Sequence, residues 1–61
     1  MLEWIRIYVR HTHKNTGVSY VLTYEVLCIE DFLRVLRERD EMRGVKVELA
    51  TEQEYVQANA T

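Results

Sequence analysis

A chain of 61 residues with a formal net charge of −2 has room for one domain, and a domain of this size buries roughly 60% of the surface its unfolded chain exposes. A single cysteine, Cys28, excludes an internal disulfide framework, the slight acidity argues against indiscriminate coating of nucleic acid, and no apolar run approaches the ~20 residues that a bilayer span requires. A core this small rarely contributes more than about 3–5 kcal/mol net, so efficient packing or association with a partner has to supply the remaining stability.

The first predicted element is a strand, Trp4 to Arg10. Its alternation sends Ile5, Ile7 and Val9 to one face and Trp4, Arg6, Tyr8 and Arg10 to the other. The polar stretch His11-Thr12-His13-Lys14-Asn15-Thr16-Gly17 follows, and its Asn and Gly suit a reversal with one residue at positive φ. A second alternating segment, Val18 to Leu27, completes a hairpin. A loop of Lys14 to Gly17 sets the register that keeps both apolar faces on one side. Ile5 then lies opposite Val26, Ile7 opposite Tyr24 and Val9 opposite Leu22. On the other face Trp4 meets Leu27, Arg6 meets Glu25, Tyr8 meets Thr23 and Arg10 meets Val21.

Ile29 to Arg43 is predicted as an amphipathic helix, with Ile29, Phe32, Leu33 and Leu36 at helical spacing and Val35 and Met42 at the margins. Glu30 and Asp31 suit its first turn, Arg43 its end, and Gly44 its stop. Cys28 stands where Ser, Thr, Asp or Asn would usually cap the helix. Arg34, Arg37, Glu38, Arg39, Asp40 and Glu41 mix signs at spacings that suit a solvated, self-paired outer face. Val45 to Leu49 alternates again as a third strand. Thr51 and Glu54 then have capping-box spacing, which predicts a short helical turn through Tyr55 and Val56.

These elements predict an α+β fold, a small ββαβ(α) domain over residues 1–57 with 58–61 as a frayed tail. A right-handed crossover from the second strand to a third lying beside the first gives a three-stranded antiparallel sheet of order 2-1-3, with one helix packed on one face. The other face is left to Trp4, Arg6, Tyr8 and Arg10, flanked by Val21, Thr23 and Leu27. Those seven residues are the candidate binding surface, although Trp4 and Tyr8 could instead shield the sheet beneath Tyr55 and Val56.

Trp, Tyr and Arg are the residue types most enriched at interface hot spots, and the two outer strands offer edges to another chain. The function expected is therefore a non-catalytic protein–protein interaction module, a homodimer or a binder of a host protein. Single-stranded nucleic acid is the alternative, with bases stacked on the aromatics and phosphates on the arginines; Glu25 and Glu48 near the same face oppose it. No glycine-rich phosphate loop, paired-histidine helix motif or nucleophile elbow is present. His11 and His13 have no further ligand nearby in sequence, so no metal or other cofactor is expected. Cys28, at the far end of the second strand from both histidines, is not expected to be a catalytic thiol. The N-terminus has no basic segment, apolar stretch and small-residue cleavage site, and a cytoplasmic location is the expectation.

In size and ββαβ order, residues 3–49 resemble very small phage or mobile-element proteins that bind and block a host enzyme, such as phage inhibitors of uracil-DNA glycosylase. The resemblance is one of layout without a shared motif, so it implies a binding protein and assigns no residue a role.

Overall fold

The computed structural model describes residues 3–59, which run as β1 (Ile5–His13), β2 (Ser19–Val26), α1 (Ile29–Glu41), β3 (Val45–Ala50) and α2 (Glu52–Asn59). The sheet is three-stranded with order β2-β1-β3, and both pairings are antiparallel. This is the ββαβ(α) topology expected from the alternation and the crossover rule.

The hairpin adopts the predicted register from Ile5–Val26 through Arg10–Val21 and continues to His11–Tyr20 and Thr12–Ser19. Its ladder stops one pair short of Trp4 and Leu27. Gly17 N–H donates to His13 O and His13 N–H to Val18 O, both at 2.8 Å, which closes the loop over Lys14–Gly17. Gly17 has φ +75, a region that costs L-residues steric strain at Cβ.

β1 extends three residues beyond its expected end at Arg10, because His11, Thr12 and His13 pair with Val47, Lys46 and Val45 of β3. The sequence placed these residues in a polar turn. The hairpin ladder also continues through His11 and Thr12, so these residues have a strand on each side. Lys14 N–H then donates to Gly44 O at 2.9 Å, tying the hairpin loop to the turn before β3.

α1 begins at Ile29 as expected, after an extended Cys28 with no side-chain cap bond, and ends at Glu41, two residues before the predicted boundary. Arg43 N–H to Asp40 O and Gly44 N–H to Glu41 O, each 3.0 Å, tighten its last turn, and Gly44 at φ +75 terminates it. The helix leaves β2 after Val26 and delivers the chain to Val45 on the opposite edge, so it crosses the sheet diagonally. Ile7, Val9, Val26, Leu33, Leu36 and Val47 form the core beneath it, with Tyr24, Ile29 and Phe32 packed against them.

α2 occupies the opposite face. It is a two-turn helix through Asn59, longer than the predicted turn, and takes in Ala58 and Asn59; residues 60 and 61 lie outside the described segment. Thr51 Oγ1 accepts a hydrogen bond from Glu54 N–H at 3.2 Å, the first half of the anticipated capping box. The return bond is replaced by one between Glu54 and Arg10. Thus the sheet has a helix on both faces, where the sequence predicted one.

Candidate functional site

The face opposite α1 divides into a covered and an open half. Over the covered half, the Tyr55 ring lies 5.4 Å from that of Tyr8 and Glu54 Oε2 accepts from Arg10 Nη2 at 3.0 Å. Val21 is 4% exposed beneath this lid, so its side chain is part of the packing. Tyr8 and Arg10 are likewise half-covered. The physical reason is the eight-residue length of α2, which suffices to cross from β3 over β1 to β2.

The open half keeps Trp4, 67% exposed, together with exposed Arg6, Thr23 and Leu27. The Arg6 guanidinium meets Glu25 at 3.1 Å, the cross-strand partner anticipated from the register. The hydrogen bond and charge of Glu25 push the Arg6 pKa further above its ordinary value. Lys46 likewise pairs with Glu48 at 3.0 Å. Arg6, Arg10 and Lys46, the cations this face presents among the described residues, are therefore each matched by a carboxylate. Phosphate binding would have to displace those partners.

On the α1 face the alternation Ile5, Ile7, Val9 continues through His11, which is 3% exposed. Its Nδ1 lies 3.1 Å from Asp40 Oδ2, and its Nε2 lies 2.9 Å from the Tyr24 hydroxyl. A carboxylate can only accept, so Nδ1 carries a proton and donates to Asp40, while Nε2 and the Tyr24 hydroxyl share the second hydrogen bond. The imidazole also stacks on Tyr20 at 5.1 Å, and Tyr20 in turn lies 5.8 Å from His13. Burial is the main cause that pushes the Tyr24 pKa up, with Asp40 and Tyr20 adding to it and Arg39 opposing. A raised pKa keeps this hydroxyl a neutral donor, the opposite of an activated nucleophile.

Sequence periodicity does not display this buried network directly. Asp40, expected on the solvated outer face of the helix, instead follows Ile29, Leu33 and Leu36 on the inward stripe and is 6% exposed. Carrying both periodicities past their last apolar residue would have paired it with His11. Cys28 is exposed and sits beyond the Val26 end of β2, while His11 pairs with Tyr20 at the other end; the predicted separation of thiol and imidazole holds. Among the described residues, no three His, Cys, Asp or Glu side chains gather into a group that could hold a metal ion, and no helix is long and apolar enough to cross a membrane.

The diagonal path of α1 leaves the outer part of β2 uncovered. Val18, Tyr20 and Leu22 point toward the α1 face yet are exposed. Beside them a cleft of about 190 Å³ opens between helix and strand, lined by Tyr24, Phe32, Val35, Leu36 and Arg39. An apolar row along a free strand edge, next to an apolar cleft, is suited to receiving another polypeptide. No protein-family model matches the sequence, and neither a curated relative nor a solved structure matches it.

Proposed function

We propose that the protein is a non-catalytic protein–protein interaction module that receives another polypeptide along the β2 edge. One observation carries this: Val18–Tyr24, which leads into and runs along the edge strand β2, is uncharged and proline-free, and its apolar side chains Val18, Tyr20 and Leu22 are exposed. Proteins usually protect such an edge with charge, proline or a covering element. An unprotected edge supplies backbone hydrogen bonds to an added strand, and its alternate side chains supply specificity.

The face opposite α1 has a smaller role. Tyr8, Arg10 and Val21 are engaged by α2, which leaves Trp4, Arg6, Thr23 and Leu27 as a secondary patch. The ion pairs of Arg6, Arg10 and Lys46 favour a protein partner over single-stranded nucleic acid, whose affinity depends on unpaired cations. The layout resemblance to small phage and mobile-element inhibitors makes a host protein one class of partner; a second copy is the other.

The test compares three immobilised baits: the wild-type chain, Leu22→Lys and Trp4→Ala. A partner lost with Leu22→Lys and kept with Trp4→Ala supports the edge. The converse pattern moves the contact to the Trp4 patch.

A further inference from the structure

We infer that the polypeptide received at β2 is a second copy of this chain, joined β2 to β2 about a two-fold axis so that two three-stranded sheets become one. This rests on the strand-edge function proposed above and adds the partner's identity, the edge used and the register.

The two edges of the sheet are not equivalent. β3 carries exposed Lys46 and Glu48, ion-paired at 3.0 Å, and charged side chains of this kind discourage strand addition. β2 carries none between Val18 and Tyr24; Gly17 and Glu25 bound the segment. Self-association through a sheet edge therefore selects β2.

The backbone determines which groups are available. Successive residues of an antiparallel strand direct their N–H and C=O groups to opposite sides. Val18 O accepts from His13 N–H, so Val18, Tyr20, Leu22 and Tyr24 address β1, while Ser19, Val21, Thr23 and Glu25 address the open side. A two-fold axis perpendicular to the sheet pairs the copies antiparallel and keeps both α1 helices on one face.

The uncharged segment is centred on Val21, and the symmetric register places Val21 opposite its own copy. Ser19 then faces Thr23 of the second chain, Tyr20 faces Leu22, and Val18 faces Tyr24, each combination occurring twice. Hydroxyl pairs and aromatic–aliphatic pairs are favourable cross-strand neighbours. The outward groups of Ser19, Val21 and Thr23 all find outward partners, and no charge enters this span because Glu25 falls opposite Gly17. The row Val18, Tyr20 and Leu22, exposed in the single chain, lies beside its copy as the floor between the two α1 helices. This one arrangement pairs the free edge along its uncharged length and covers apolar surface that the diagonal helix leaves open.

Sedimentation equilibrium at micromolar concentration tests the inference, with all chains carrying Cys28→Ser so that no intermolecular disulfide contributes. The parent is expected to be a dimer and Leu22→Lys and Thr23→Pro monomers, with circular dichroism unchanged. Leu22 is 43% exposed in the single chain, so lysine there leaves the core intact. The Thr23 N–H faces away from β1, so proline removes an outward donor without touching the hairpin ladder. Hydrogen exchange supplies the specific signature: the Val21 and Thr23 amides are protected in the dimer and exchange faster in Leu22→Lys. A dimer that survives both substitutions, with the Val21 and Thr23 amides exchanging as fast as in the monomer, overturns self-pairing at β2. A parent chain that stays monomeric, but whose Val21 and Thr23 amides become protected when a captured protein is added, overturns self-pairing alone.

Discussion

The imidazole of His11 and the carboxylate of Asp40 meet at 3.1 Å in the interior, 29 residues apart in sequence. One lies on the central strand and the other near the C-terminus of α1, where a negative charge opposes the helix dipole. Their contact, extended through Tyr24, anchors the end of the helix that apolar packing leaves to polar groups. Removing one member strands the other. Asp40→Ala is expected to cost about 1–3 kcal/mol, the penalty of a buried donor left without its acceptor, read by urea denaturation. A joint His11→Phe, Tyr24→Phe and Asp40→Leu replacement should cost less than Asp40→Ala, since it leaves no member of the network unpaired. A loss in the single variant below about 0.5 kcal/mol, the range of an ordinary surface change, would contradict this role.

Tyr24 gives the domain an alkaline dependence. Burial and Asp40 raise its folded-state pKa above the unfolded value of about 10, so above that pH the unfolded chain has lost a proton that the folded chain retains. The Tyr24 contribution to stability is complete below about pH 10 and declines as pH rises through the folded pKa. Denaturation midpoints should fall over that range in the wild type and fall less steeply in Tyr24→Phe. Parallel slopes would remove Tyr24 as the cause.

The α2 lid should depend on packing more than on charge. The Arg10–Glu54 pair is partly exposed, and Glu54→Ala is expected to cost less than about 1 kcal/mol. Tyr55→Ala removes the ring over Tyr8 and is expected to cost about 1–2 kcal/mol. Faster hydrogen exchange near Val21 should accompany it. A reversed order of the two costs would indicate that the ion pair holds the lid.

Gly44 ends α1 at φ +75, and a Cβ placed there would meet no atom within 4 Å. Backbone strain alone therefore sets the effect of substitution. Gly44→Ala should destabilise by about 1 kcal/mol, and Gly44→Asn by less, because Asn tolerates this region better. Equal melting temperatures for all three chains would show that the turn can change its conformation.

Trp4 reports on the nucleic-acid alternative. Titration with a labelled single strand at low salt is expected to give neither binding nor quenching of its fluorescence, because the neighbouring cations are already paired. Quenching that weakens with added salt would restore that alternative.

Strand alternation and turn chemistry determined the hairpin and its register from sequence, since a slip by one residue would move Ile7 and Val9 out of the core. Helical spacing identified α1, and the crossover rule gave the β2-β1-β3 order. The Arg6–Glu25 pair followed from register alone. These features depend on local periodicity and on a few nearby contacts, which a sequence displays directly. Three other features depended on surfaces brought together only by folding. Strands on both sides of His11 and the end of α1 above it placed the imidazole in the interior and gave Asp40 its partner. The full length of α2 covered Tyr8, Arg10 and Val21, dividing the face that alternation had presented as a single surface. The diagonal of α1 left Val18, Tyr20 and Leu22 exposed, although their alternation is that of a buried face. Periodicity specifies the side of the sheet on which a residue stands, whereas the angle and extent of the element packed there determine whether it is covered.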